Sequence, residues 1–373
     1  MKNKFRVICL SVASMLLTGL PSQGVLADKF LKEYWLLDEF LDLRPEQRAL
    51  SSTFARVVKD PGIATTARPS EPKKIVMVYP GLQASDYWRR SVSSFRARMQ
   101  EIGLNFVLED HFTKPGTGIR QQSLLIGKAM AGTPDYLVFT LDAVRHRGMV
   151  ERMMAEGRTK VILQNITTPI RAFGKFQPFL YVGFDHGVGA KMLANRYKSD
   201  IRNAGRYAIF YGPKGYVSKM RGGVFKQEMS DRPEIKLVAS YYVNFDRERS
   251  YKAAMELLAE QGDLDFIYAC STDIALGIID ALKETGRLGS VMVNGWGGGE
   301  SELEAIEAGE LDFTVMRMND DNGVAMAEAI RLDVEKGATG VPTVYSGEFK
   351  LVDKKISKED LIELRKNAFR YSE

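Results

Sequence analysis

Ile75-Val76-Met77-Val78-Tyr79-Pro80-Gly81-Leu82-Gln83-Ala84-Ser85-Asp86-Tyr87-Trp88 holds the plan of this chain. The apolar run Ile75–Val78 has no polar alternation, so it reads as a strand covered on both faces. Pro80-Gly81 breaks it into a turn. Ser85 is placed to cap a helix whose apolar face carries Trp88, Val92, Phe95 and Met99, and Gly103 is placed to end it. Further strands read at Phe106–Leu108, Tyr136–Thr140, Val161–Leu163, Leu180–Phe184, Tyr207–Tyr211, Leu237–Val243, Phe266–Ala269, Val291–Val293 and Phe313–Met316. The helices between them include Thr272–Thr285, with Thr272 or Asp273 as its cap and Gly286 as its stop. This alternation predicts an α/β fold of parallel sheets with helices on both faces.

Polar or aromatic residues stand where these strands end. The first strand leads to Gln83, Ser85 and Trp88, the next to Gln164-Asn165, and later ones to Ser271-Thr272-Asp273, Gly295-Trp296 and Arg317. In a parallel sheet the crevice beyond the carboxyl ends of the strands is where ligands bind. Trp88 and Trp296 offer flat apolar faces and one N–H each. Gln83, Ser85, Asn165 and Thr272 offer amide and hydroxyl groups, a set suited to a small polyol. Arg221, early on a helix after Tyr207–Tyr211, and Arg317 add guanidinium groups. Each has a plainer reading: Ser85 and Thr272 as helix caps, Trp88 as core, either arginine paired with Asp142 or Asp273. Their shared position at strand ends favours a pocket.

The ends of the chain carry other signals. Lys2, Lys4 and Arg6 precede an apolar stretch, Val7–Leu20, and Val25-Leu26-Ala27 resembles a small-residue cleavage site, so residues 1–27 read as a secretory signal peptide. Its removal takes the formal net charge from +5 to +2, with no acidic residue lost. So small a charge gives little support to nucleic-acid binding. Of two cysteines, Cys9 lies in the signal, leaving Cys270, so no internal disulfide forms in the mature chain. The expectation is a soluble periplasmic protein with no direct membrane insertion. Its roughly 345 mature residues exceed one ordinary core and predict two domains. Residues 28–72 read as a helical arm and linker. Phe30, Leu31, Trp35, Leu36, Phe40 and Leu43 form its apolar stripe, Pro45 starts a second helix with Phe54 and Val57, and Pro61, Pro69 and Pro72 lie in an extended linker. The arm is expected to pack on the body as a clasp.

Catalytic signatures are missing. His111, His146 and His186 lack metal-ligand spacing and read as isolated surface or capping residues. No nucleophile elbow is present. Gly295-Trp296-Gly297-Gly298-Gly299 lacks both the dinucleotide spacing and the P-loop Lys-Ser/Thr, so its glycines read as a sharp turn that brings Trp296 to the crevice. Cys270 reads as a small buried hydrophobe. The chain is not expected to be an enzyme.

Long segments carry a resemblance: Ser85-Asp86-Tyr87-Trp88, Leu163-Gln164-Asn165-Ile166-Thr167-Thr168-Pro169, Phe266-Ile267-Tyr268-Ala269-Cys270-Ser271-Thr272-Asp273, Asn294-Gly295-Trp296-Gly297-Gly298-Gly299 and Val315-Met316-Arg317-Met318-Asn319-Asp320-Asp321. The chain resembles the type I periplasmic binding proteins, typified by ribose-binding protein. Within them it is most similar to the LuxP-type receptors for the quorum-sensing signal autoinducer-2, over nearly the whole mature chain. Leu82 and Ala84 depart from that pattern, which has Gln and Val there.

The resemblance implies two doubly wound parallel-sheet lobes, 73–183 plus 318–347 and 184–317 plus 348–373, joined by three crossings near Gly183, Arg317 and Glu348. It implies a ligand between the lobes, held by Gln83, Ser85, Trp88, Asn165, Arg221, Thr272, Trp296 and Arg317. That ligand would be a furanosyl borate diester, so boron would enter with the ligand and no cofactor or metal would be needed. The partner would be the periplasmic domain of a LuxQ-type sensor kinase, signalled by hinge closure. The alternative is a ribose-like sugar-binding protein of an ABC importer. Two guanidinium groups around one small ligand argue for an anion.

Overall fold

The computed structural model describes residues 32–373; the signal segment, Cys9, Phe30 and Leu31 lie outside the described residues. Strands β1 (Lys73–Tyr79), β2 (Phe106–Phe112), β3 (Tyr136–Phe139), β4 (Lys160–Gln164) and β5 (Leu180–Phe184) come first. After them run β6 (Gly205–Tyr211), β7 (Ile235–Tyr242), β8 (Phe266–Ala269), β9 (Met292–Gly297), β10 (Phe313–Arg317), β11 (Val344–Gly347) and β12 (Phe349–Asp353). They form two six-stranded sheets, ordered β2-β1-β3-β4-β5-β11 and β7-β6-β8-β9-β10-β12. Every pairing is parallel except the antiparallel pair β10–β12. The chain passes from the first sheet to the second after Phe184, returns after Arg317, and crosses again between Gly347 and Phe349.

All ten expected strands are present; the central ones are apolar runs buried on both faces, whereas the edge strands β2 and β7 are only partly covered. Ile75, Met77, Val78, Ile162, Leu163, Ile209, Phe210 and Ile267 are fully or almost fully covered. Two strands escaped the sequence reading. β11 is short and ends in Ser346-Gly347, and β12 buries only Val352, so neither carries a continuous apolar run. In both sheets the chain lays its first two strands outward and then reverses. The switch points therefore lie between β1 and β3 and between β6 and β8, and the loops leaving those strands open a crevice at the carboxyl ends.

The arm packs on the body. The Trp35 N–H donates to the Pro169 carbonyl (2.8 Å) and the Thr343 N–H to Gln47 (2.8 Å). Phe40, Phe54 and Val58 are buried. The expected continuous stripe is interrupted: helices run Leu37–Leu43 and Pro45–Lys59, so Trp35 and Leu36 precede the first, and Leu43 is 61% exposed.

Arg98 ties four segments together. Its fully buried guanidinium donates to Glu328 (2.7 Å), Glu101 (3.1 Å), the Tyr371 hydroxyl (2.6 Å) and the carbonyls of Val57 (3.2 Å) and Asp60 (2.8 Å). All five N–H groups are thus used. The bonds join the arm, helix Tyr87–Glu101, helix Asp321–Lys336 and the carboxyl-terminal tail. A buried charge loses its compensation when its partner is neutralised, at a cost of about 3–5 kcal/mol. Glu328→Gln should therefore lower the urea midpoint sharply with little change in slope. A midpoint equal to wild type would contradict this role for Arg98.

Candidate functional site

The carboxyl-terminal crevices of both sheets meet in one cavity of about 70 Å³. A water needs roughly 10–15 Å³ by this measure, so the space holds several waters or one small molecule of similar bulk. All eight residues expected as ligand contacts line it: Gln83, Ser85, Trp88, Asn165, Arg221, Thr272, Trp296 and Arg317. Gln83 and Ser85 come from the loop after β1, Asn165 from the end of β4, and Trp88 from helix Tyr87–Glu101. Arg221 lies in a π-helical turn, Lys219–Gly223, whose extra residue sequence periodicity does not reveal. Such turns are frequent at functional sites.

The arginines decide the electrostatics. Arg221 and Arg317 are 5% and 3% exposed, and neither forms an ion pair with a carboxylate among the described residues. The alternative pairings with Asp142 or Asp273 are not made. Arg221 donates to the Cys270 carbonyl (2.8 Å), and its guanidinium lies 4.8 Å from the Trp296 ring. Arg317 lies 4.4 Å from the Tyr87 ring, and its Nε is buried without a hydrogen-bond partner. Burial, and then the charge of Arg317, hold Arg221 well below the ordinary guanidinium value. Burial also lowers Arg317. Burial thus disfavours the charged form of each, and a nearby opposite charge would offset that.

Trp296 is presented by a braced loop. Buried Glu302 accepts from the N–H groups of Trp296 (2.9 Å) and Gly298 (2.8 Å) and from the Thr314 hydroxyl (2.5 Å). Gly297 has φ +131°, and a Cβ there would lie 2.9 Å from Arg317 Nη1. The glycines therefore serve the turn. The Trp296 indole N–H is buried and unpartnered. Asn165, just past the end of β4, sits at φ +66°, a left-handed conformation uncommon for a non-glycine residue. Trp88 stacks on Tyr79, with centroids 4.8 Å apart, and lines the cavity as well, so its core and cavity readings both hold.

Several expectations are corrected. Ser85 does not cap its helix, which starts at Tyr87; its N–H instead faces the Asp273 carboxylate at 3.4 Å. Helix Thr272–Glu284 is capped by Ser271, one residue earlier than expected. His146 and His186, read as surface or capping residues, are both fully buried, and each has a hydrogen-bond partner brought from elsewhere in the chain: Ser123 for His146 and the Asn165 carbonyl for His186. Cys270 is buried as expected, and burial pushes its thiol well up. Tyr87, Asp142, Phe245 and Ser271 also line the cavity; the sequence marks Ser271 at its strand end and Asp142 as a possible arginine partner, but none of the four is among the expected ligand contacts. Tyr87 adjoins Trp88 in the segment already singled out, whereas nothing local marks Phe245. Burial pushes the Asp142 carboxyl up to about 6, and it accepts from Gln122 (3.1 Å).

A family model for the periplasmic binding protein domain matches residues 75–336. The chain belongs to the periplasmic binding protein family. As such a protein it works in the periplasm, and no helix among the described residues is long and apolar enough to cross a membrane. It is 31% identical to the D-allose-binding periplasmic protein of Escherichia coli over 40% of this chain and 48% of that protein. It is 24% identical to the D-ribose/D-allose-binding protein of Pseudomonas aeruginosa over 62% of this chain and 73% of that one. The matches to the first curated relatives span 48% and 61% of their lengths. A solute-binding protein from Actinobacillus succinogenes with bound D-allose superposes with TM-score 0.67 at 22% identity, covering 78% of this chain and all of that one. A second, from Agrobacterium vitis with bound D-fucose, gives 0.70 at 16% identity, covering 77% and 98%. These likenesses show the two-lobed α/β fold.

Bonds between the two halves cross the cleft. Asp273 accepts from the Ala84 N–H (2.9 Å) as well as from Ser85, and Asp86 accepts from the Glu300 N–H (3.2 Å). Thr168 donates to the Tyr216 hydroxyl (2.8 Å). A hydrogen bond to a charged group is worth about 1.5–3 kcal/mol. Asp273→Ala should therefore leave both halves folded but open the empty protein, seen as a larger radius of gyration by X-ray scattering. An unchanged radius would show that this carboxylate does not hold the cleft shut.

Proposed function

We propose that this periplasmic binding protein is a receptor for autoinducer-2 as its furanosyl borate diester, which it holds without chemical change. Lobe 73–183 plus 318–347 closes on lobe 184–317 plus 348–373, and closure signals to the periplasmic domain of a LuxQ-type sensor kinase. One observation carries the choice of ligand: two buried guanidinium groups share a small cavity with no carboxylate bonded to either. Arg98 provides the contrast within the same molecule. There a buried arginine has every N–H occupied and a carboxylate at 2.7 Å. Arg221 and Arg317 keep donors spare, which is the arrangement an arriving anion would complete.

The roles follow from the donors available. Arg221 and Arg317 would donate to the borate oxygens. The indole N–H groups of Trp88 and Trp296, with Gln83, Ser85, Asn165 and Thr272, would bond the hydroxyl and ring oxygens. Anion binding favours the closed form because closure without it desolvates two like charges. The kinase assignment rests on the resemblance of the segments around Trp88, Asn165, Trp296 and Arg317 to LuxP-type receptors.

A second reading is delivery of an uncharged sugar to an ABC importer. The comparisons favour it, since the curated relatives are named for D-allose, ribose and xylitol. Within the site, Asp142 supports it, because a carboxylate lining the cavity suits sugar hydroxyls.

Calorimetric titration separates the two. With autoinducer-2, binding should be tight in borate-supplied buffer and weak in borate-depleted buffer. Tight, borate-independent binding of D-ribose or D-allose would overturn the receptor reading. Arg221→Met and Arg317→Met should each cost about one to two decades in affinity, the equivalent of one charge-assisted hydrogen bond. Because neither guanidinium is bonded to a carboxylate, each change should lower the melting temperature of the complex more than that of the apo protein. A fall in apo melting temperature equal to that of the complex would make the arginines structural.

A further inference from the structure

We infer that His186 is the positioning residue for Arg221, holding it with a neutral acceptor so that its positive charge stays available to the ligand. His186 opens helix His186–Asp200, directly after the first crossing between the sheets. Its side chain is fully buried. The ring is boxed between Tyr216 (5.8 Å between centroids) and Trp296 (6.2 Å). Nε2 lies 3.1 Å from the Asn165 carbonyl oxygen. A carbonyl only accepts, so Nε2 must carry the hydrogen. Nδ1 then presents a lone pair, and the Arg221 Nε–H donates to it at 3.4 Å.

This geometry does two things. First, it fixes the aim of Arg221. Nε is directed to His186 and Nη1 to the Cys270 carbonyl, so the planar guanidinium is oriented at two corners while its remaining N–H groups are left for the cavity. A carboxylate in place of the imidazole would orient the group equally well, but it would also neutralise it and suit the site to an uncharged ligand. Second, it links Arg221 to the other half of the molecule. Asn165 belongs to the first sheet's crevice and itself lines the cavity, so one imidazole spans an Asn165–His186–Arg221 chain across the cleft. Burial and the charges of Arg221 and Arg317 keep the ring far below its ordinary protonation range, which preserves the acceptor at Nδ1. The strand-end reading missed His186 because both of its partners are remote in sequence.

The inference rests on a ligand role for Arg221, and the tests keep the two apart. Nitrogen chemical shifts of the His186 imidazole in the apo protein should report the neutral Nε2–H form from pH 8 down to pH 6. A charged ring or an Nδ1–H ring at neutral pH would overturn the inference whatever the ligand is. Binding is then measured for His186→Phe, His186→Asn, Arg221→Met and the double variant His186→Phe/Arg221→Met. The ligand is autoinducer-2 in borate buffer or D-ribose, whichever the wild type binds more tightly. Phe keeps the ring but removes the acceptor, and should weaken binding roughly tenfold. Asn places an oxygen where Nδ1 stood, and should restore most of that loss. The double variant should bind no worse than Arg221→Met alone. Additive losses, or equal losses for Phe and Asn, would overturn the inference. Loss of borate dependence in the wild type alone would overturn only the choice of ligand.

Discussion

Two guanidinium groups removed from water in one small cavity are the constraint around which this protein is arranged. Desolvating like charges together is unfavourable, and the fold tolerates it only because other forces hold the groups in place. Arg221 rests against the Trp296 ring and Arg317 against the Tyr87 ring, where the aromatic faces return part of the lost stabilisation. Neutral acceptors, the Cys270 carbonyl and the His186 ring, fix Arg221 without cancelling its charge.

That arrangement needs a stiff frame. Glu302, itself fully buried, spends its carboxylate on two backbone N–H groups and the Thr314 hydroxyl, and so sets the loop that carries Trp296. Arg98 and Glu328 anchor the arm, two helices and the tail behind the first sheet. Charge is handled in two ways in one molecule. Where the aim is rigidity, as at Arg98 and Glu302, buried ions have their hydrogen bonds filled by the protein. Where the aim is binding, they are left short of partners. Asp273 and Asp86 stand between these cases, because their backbone partners lie across the cleft and those bonds depend on closure.

Much of this was legible in the sequence, for a physical reason. Strands covered on both faces, such as Ile75–Val78 and Phe266–Ala269, are uninterrupted apolar runs, and the residue that ends each run must emerge at the crevice. That rule found Asn165, Trp296 and Arg317, and the turn after the first run led on to Trp88. The rule failed for β11, which offers only Val344-Tyr345 before Ser346-Gly347, and for β12, which buries only Val352. It also misassigned the caps at Ser85 and Thr272, because the hydrogen bonds that settle them lie one residue away or across the cleft. His186 was read as a surface or capping residue because a lone histidine has no local signature. Its partners, Asn165 and Arg221, are joined to it only by the fold.

Boron-11 magnetic resonance of the protein saturated with autoinducer-2 in borate buffer addresses the central claim most directly. An anionic ligand held by both arginines predicts a protein-bound, four-coordinate boron signal that disappears in the Arg221→Met/Arg317→Met double variant. A saturated protein with no bound boron signal, or one whose signal survives the loss of both arginines, would contradict the account.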